Sequence, residues 1–385
     1  MVRFLFASDS FKGTISSARA AELLADAARA RFPRAECRWT MVADGGEDTV
    51  DAVVSATGGE VVTVCVEGPR RAELKARYGM LPGRRAVIEM AAASGLPLLA
   101  IADRDPLVTS TFGTGQLILD ALDRGATDVS LAVGGSATND CGMGCMRALG
   151  VRFLDVSGLE LAGTGADLER VASIDLSGMD RRVRSTTFHV MCDVDNPLVG
   201  PRGCAAVFAP QKGATPETVT RLEVGMVSFA TVLERTFGTS VADGFGMGAA
   251  GGLGAAARLF LDAQVVPGID WVLELVGFDA LLDGVDLCVT GEGHADSQSA
   301  HGKVVSGVAA ACQRNGVPCV AIVGGMSADA RELLDCGIAA LVPTVIDAGS
   351  IEDVLGHAEE NYRLAAERMF SLVAIGMAMG AARCD

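Results

Sequence analysis

Lysine is scarce in this chain. Lys12, Lys75, Lys212 and Lys303 are the only ones, and arginine supplies the rest of the 32 basic residues. Positive charge is short altogether. With 48 acidic residues the net charge is −16, which argues against general nucleic-acid binding, because that needs a basic surface. No apolar run reaches the ~18 residues of a spanning helix, so no membrane partner is expected. The four histidines, His189, His294, His301 and His357, lack metal-ligand spacing. There is no Cys-x-x-Cys pair, no Gly-x-Ser-x-Gly nucleophile elbow and no Gly-x-x-x-x-Gly-Lys-Ser/Thr phosphate loop. These absences argue against paired-cysteine redox or zinc sites, serine hydrolases and P-loop kinases. No repeat of fixed period is present.

What remains is ample for a core. Half of the 385 residues are hydrophobic, and the length suggests two or more domains. The 11 cysteines read as reduced, packed thiols of a cytosolic, cytoplasmic enzyme. Cys141 and Cys145 have helical spacing but no histidine near them in sequence, so they too read as packed thiols. The N-terminal apolar run meets Asp9 and Lys12 too soon for a signal peptide.

The recurring local pattern is strand, polar loop, helix. Residues 2–7 read as a strand, 8–13 as a loop and 17–31 as a helix. Residues 285–289, 290–303 and 304–315 repeat the pattern. Open α/β sheets place ligands beyond the carboxyl ends of their strands, so both loops are expected at one cleft. Residues 37–42 and 60–66 read as further strands with a helix at 50–56 between them. Strands at 319–323 and 340–345 follow late in the chain, with a last long helix from about 351. The expectation is an α/β protein. Both chain ends, 1–67 and 284–385, would form a parallel sheet of about six strands, flavodoxin- or Rossmann-like. Residues 68–283 would be an inserted α/β domain, with the active site in the cleft between the two.

The lysines are informative. Three of the four touch a glycine: Lys12-Gly13, Lys212-Gly213 and Gly302-Lys303. A chain that otherwise uses arginine keeps a compact point charge where phosphate would be held. Acid–glycine loops form a second set: Asp44-Gly45-Gly46-Glu47, Asp193-Val194-Asp195-Asn196, and Gly291-Glu292-Gly293 with Asp296. Carboxylates at strand ends can hold Mg²⁺ or accept a proton from a hydroxyl. Asp44 and Asp193 follow apolar strands and are the leading candidates, whereas Asp48 and Asp140 read as helix caps. Small-residue loops at 134–139 and 246–254 suit an anion at a helix start. Gly246-x-Gly248-x-x-Gly251 matches the dinucleotide fingerprint but lacks the strand it requires. His294 and His301 flank the late loop, and His189 reads as a core histidine. Together these features describe a cleft enzyme for small anions that transfers phosphoryl groups.

The same loops, in order, resemble the two-domain, non-MOFRL bacterial glycerate kinases over nearly the whole chain. The motifs are Ser8-Asp9-Ser10-Phe11-Lys12-Gly13, Ala43-Asp44-Gly45-Gly46-Glu47, Glu89-Met90-Ala91, Gly134-Gly135-Ser136-Ala137-Thr138-Asn139-Asp140 and Cys192-Asp193-Val194-Asp195-Asn196-Pro197-Leu198. They continue with Pro210-Gln211-Lys212-Gly213-Ala214, Gly248-Ala249-Ala250-Gly251-Gly252-Leu253-Gly254 and Thr290-Gly291-Glu292-Gly293 with Asp296, Gln298 and Gly302-Lys303. Asp48 and Cys141 stand where that family tends to have glycine, and His294-Ala295 replaces an Arg-Ile-like pair.

The resemblance implies ATP- and Mg²⁺-dependent phosphorylation of D-glycerate, at the 2-hydroxyl, giving 2-phosphoglycerate. It implies Ser10, Ser136, Thr138, Asn139, Gln211 and Lys212 at the substrate, and Lys12 and Lys212 against phosphate charge. One of Asp44 and Asp193 would orient the attacking hydroxyl and the other would help hold Mg²⁺. Gly291, Glu292, Asp296 and Lys303 would contact the nucleotide. A homo-oligomer is compatible with this reading. A kinase for another hydroxy acid, a 3-phosphoglycerate-forming enzyme and a non-catalytic glycerate or nucleotide sensor remain open alternatives.

Overall fold

The structure is a computed structural model that describes residues 1–11, 13–300, 302–346 and 350–381. The chain divides into two compact units, Met1–Asp44 with Ile269–Asp385, and Gly45–Gly268. It starts in the first unit with β1 (Arg3–Phe6) and β2 (Glu36–Trp39). The second unit contains β3 (Glu60–Glu67), β4 (Glu73–Leu81), β5 (Arg85–Glu89), β6 (Asp128–Ala132), β7 (Arg152–Leu154), β8 (Ser173–Asp175), β9 (Thr187–Met191) and β10 (Gln264–Val266). The chain then returns to the first unit with β11 (Leu287–Ala295), β12 (Cys319–Met326) and β13 (Ile338–Pro343).

The first sheet runs β13-β12-β11-β1-β2, and all its pairings are parallel. With the second unit's strands left out of the numbering, this is the doubly wound order 2-1-3-4-5. The central strands read as unbroken apolar runs because both faces are covered. Phe4 and Phe6 face a core shared with helices Ser17–Arg31 and Ala358–Ala381, where Leu24, Tyr362 and Phe370 are buried. Leu5 and Cys288, also buried, alternate with them along the strands. Helix Val304–Arg314 packs on β11 and β12. The sheet has five strands, not six, and the final helix is two, Ile351–Gly356 and Ala358–Ala381.

The missing sixth strand is β3. It pairs antiparallel with β4, and the second sheet runs β10-β9-β6-β5-β4-β3. The boundary drawn from sequence therefore shifts at both junctions, from 67 to 44 and from 284 to 269. Packing explains both changes. Helix Thr49–Thr57 lies against β4, where Gly79 leaves room for Val50 and Val54. Ile269 lies against Gly307 of the first unit. β3 buries Val62 and Val66 and exposes Val61, Thr63 and Cys65, the one-sided alternation of an antiparallel edge. Among the described residues, no helix is long and apolar enough to cross a membrane.

Candidate active site

In the first unit the site begins where β1 ends. The Ala7 amide donates to the Val289 carbonyl at 2.9 Å and the Asp9 amide to the Gly291 carbonyl at 2.9 Å. The loop after β1 thus stays bonded to β11 past the end of its own strand. Asp9 Oδ1 then accepts from the Ser10 amide at 2.7 Å. In the 2-1-3-4-5 order, β1 and β11 flank the point where the connections change direction, the usual ligand crevice. A cavity of about 720 Å³ opens there, within the size range of small-molecule pockets. Its lining has two characters. Asp9, Ser10, Asp44, Glu292, His294 and Lys303 are polar or charged, whereas Phe11, Ile15, Val345, Ile351, Val354 and Leu355 are apolar.

Glu292 is buried, and among the described residues its Oε1 has no hydrogen-bond partner. Burial pushes its carboxyl up to about 7. A hydrogen bond to Ser299 and the Lys303 charge oppose that rise, while Asp9 and Asp296 add to it. Lys303 is the N-cap residue of helix Val304–Arg314. His294 Nε2 lies 3.1 Å from Ser327 Oγ.

The segment read as a loop after Val289 is partly strand. β11 continues through Gly291, Glu292 and Gly293 to Ala295, paired with β12 as far as Met326. Glycine permits the close approach: a Cβ at Gly291 would meet the Ile322 carbonyl oxygen at 2.2 Å, and one at Gly324 would meet the Gly293 carbonyl oxygen at 2.3 Å. Gly291 therefore packs the sheet and does not line the cavity. Asp296 caps the following turn, accepting from the Gln298 amide at 2.9 Å and the Ser299 amide at 3.2 Å. Lys12 and His301 lie outside the described residues.

In the second unit Lys212 is the central group. It is fully buried on the short turn Pro210–Lys212. Its ammonium donates to Ser136 Oγ at 2.8 Å and to the Thr138 carbonyl at 2.6 Å. Burial lowers its pKa to about 8, opposed by Cys204 and Asp140. Ser136, Thr138 and Asn139 are buried beside it, and Thr138 Oγ1 and Asn139 Oδ1 have no hydrogen-bond partner among the described residues. A buried cation beside the unspent Thr138 hydroxyl suits a small carboxylate or phosphate, whereas Asn139 donates its amide to Cys204 Sγ and keeps only an acceptor oxygen free. Gln211, by contrast, is exposed.

Two supports hold this loop. Asp140 accepts from the amide and hydroxyl of Thr111, both at 2.8 Å, and from the Gly142 and Gly144 amides at 3.2 and 3.1 Å. Read from sequence as a helix cap, it stands two residues before the N-cap Gly142 and still takes the helix-start amide of Gly144. Asp48 occupies an N-cap position but makes no side-chain cap bond. There the helix-start donor is met by Glu89, whose Oε1 accepts from the Val50 amide at 2.7 Å. The second support is the glycine run after 246. Its helix, Ala249–Phe260, is broken by left-handed backbone at Ala250, Gly251 and Gly252. A Cβ on Gly251 would sit 2.1 Å from the Thr138 carbonyl oxygen. At Gly251 the run packs against the Thr138–Asn139 backbone.

Asp193 is exposed beyond β9, and its Oδ1 accepts from the Gly268 amide at 2.7 Å. Asp195 pairs with Arg202 at 2.7 Å. Of the sequence candidates, the first-unit cavity gathers Ser10, Asp44, Glu292 and Lys303. The second-unit cluster gathers Ser136, Thr138, Asn139 and Lys212. The apolar wall of Val345, Ile351, Val354 and Leu355 was missed from sequence, although Ile351 and Leu355 have the i, i+4 spacing of one helix face.

A sequence model described as the glycerate kinase family matches residues 4–374. The chain is 46% identical over 360 residues to a glycerate kinase of Bacillus subtilis (strain 168), covering 93% of this chain and 94% of that protein. It is 39% identical over 377 residues to the glycerate 2-kinase of Escherichia coli (strain K12), covering 98% and 99%. A solved structure described as a glycerate kinase 2, from Salmonella typhimurium LT2, is 42% identical with a TM-score of 0.88, covering 98% of this chain and 99% of that one.

Proposed function

From the premise that this chain belongs to the glycerate kinase family, we propose that it moves the γ-phosphoryl group of ATP to the 2-hydroxyl of D-glycerate, giving 2-phosphoglycerate. The observation that supports this most is Lys212. A fully buried ammonium between Ser136 and the Thr138 carbonyl is held for an anion the size of glycerate's carboxylate or a transferring phosphoryl group. The first-unit cavity suits ATP. Its apolar residues offer a surface for a base, and Lys303 and Ser10 offer a charge and a hydroxyl for phosphates.

The donor set also fits Mg²⁺. Asp9, Asp44 and Glu292 supply hard carboxylate oxygens to one cavity. When bound, the ion neutralises and orients the nucleotide's phosphates. The chain's own work is positioning and charge neutralisation, which phosphoryl transfer needs more than covalent catalysis. Asp44 or Asp193 orients the attacking hydroxyl and accepts its proton.

ADP release with Mg·ATP and D-glycerate, set against a panel of other small hydroxy acids, tests the reading. Preference for D-glycerate supports it, and equal or better turnover of another acid replaces the substrate. Calorimetric binding without ADP release would favour the sensor.

Two further outcomes follow. Lys12→Ala is expected to lower kcat at least ~100-fold if Lys12 stabilises the transferring group. Near-wild-type turnover would remove it from the mechanism. The pH profile of kcat/KM is expected to be bell-shaped. Glu292 is neutral below about 7 and ionised above it, so the rate rises through that range. Lys212 is a cation below about 8 and loses its charge above it, so the rate then falls. Glu292→Gln should flatten the rising limb alone. Retention of that limb would mean another group produces it.

A further inference from the structure

On one face of the first sheet three cysteines meet. Cys288 of β11 and Cys319 of β12 are directly opposed in the parallel register. Cys312 comes from helix Val304–Arg314, which packs on those two strands. All three are buried, and their sulfurs lie within 4.8 Å of one another. Among the described residues no other group of three or more histidine, cysteine or acidic side chains converges in this way.

We propose that Cys288, Cys312 and Cys319 form a three-coordinate, all-sulfur site for one soft monovalent ion of the Cu(I) class. Three sulfurs at metal–sulfur lengths of ~2.3 Å sit ~4.0 Å apart, so at most a small contraction completes the triangle. Thiolate sulfur selects soft metals, and hard oxygen-seeking cations such as Mg²⁺ and Ca²⁺ are excluded. Structural zinc takes four ligands. Here no histidine or carboxylate joins the set, and burial leaves no open side for water. Binding releases the displaced thiol protons to solvent.

The site has a structural consequence. It ties β11 and β12, which carry Glu292 and Gly324, to the helix that begins after Lys303. An ion held only by the folded chain raises the stability of that unit by mass action.

The test uses the reduced full-length protein under anaerobic conditions, with Cu(I) supplied in competition with bathocuproine disulfonate. One equivalent should be retained against the chelator, and copper X-ray absorption should show three sulfur neighbours. Cys312→Ala and Cys319→Ala, each checked for folding by circular dichroism, should each weaken retention at least ~100-fold. Cys65→Ala, at an exposed position, should leave it unchanged. No retention by the wild-type protein overturns the site. So does a two-sulfur spectrum, or unchanged retention in both buried variants.

Discussion

Lys212→Met is expected to lower kcat/KM for D-glycerate by about 10²–10³-fold while the protein stays folded. The two halves of this expectation have separate causes. Met fills nearly the same volume, so no large cavity opens. Removing the ammonium leaves the Thr138 carbonyl without its 2.6 Å donor, which costs about 1–3 kcal/mol. It also removes the desolvation penalty that drags the lysine down to about 8. These stability terms oppose each other, whereas the catalytic term stands alone: an anion in this pocket loses its buried counter-charge. Lys212→Arg should not restore activity, because a fully buried site has no room for the larger guanidinium. Activity of Lys212→Met within ~5-fold of wild type would show that the lysine only braces the loop, since loss of a charge-assisted contact to reactant is worth far more.

Gly251→Ala is expected to destabilise the second unit by about 3 kcal/mol or more, with loss of activity alongside. Gly251 has φ +66°, and left-handed backbone costs an ordinary residue about 1–2 kcal/mol. The added methyl would also lie 2.1 Å from the Thr138 carbonyl oxygen and 2.7 Å from the Asn139 Cα. Backbone atoms cannot swing aside as a side chain can, so overpacking adds about 1–3 kcal/mol. The strain falls on the carbonyl that accepts from Lys212. Gly238→Ala is the control. It has φ +71° with nothing within 4 Å, so only the backbone term applies. Urea unfolding should separate the two variants clearly. Equal midpoints would mean that the loop gives way without resistance.

Local pattern made much of this legible in the sequence. Helix Ser17–Arg31 has the bounds read from the sequence pattern. Asp140 was read as a cap, and its carboxylate does accept from a helix-start amide, that of Gly144, although the N-cap residue is Gly142. Sheet membership was not legible: β3 looks like any strand until its partner is known, and its partner follows it in the chain. The continuation of β11 through Gly291 and Gly293 was hidden because glycine in a strand reads as a loop, although here it allows close backbone approach. The packing of Gly251 against the Thr138 carbonyl was equally hidden, since only the fold brings the two segments together. Asp48 and Cys141, where the resemblance leads one to expect glycine, both hold positive φ, 66° and 48°. Glycine would meet that backbone requirement freely, and this chain meets it at some strain. The apolar cavity wall could not be assembled from sequence, since it joins residues near 11, 345 and 355 that only the fold brings together.

The most direct test of the central claim is phosphorus NMR of the product formed from Mg·ATP and D-glycerate. The expected result is a 2-phosphoglycerate resonance that grows in step with ADP. A 3-phosphoglycerate resonance would contradict the assigned hydroxyl. Folded protein that forms neither product, with no ADP above the glycerate-free control, would contradict glycerate as the acceptor.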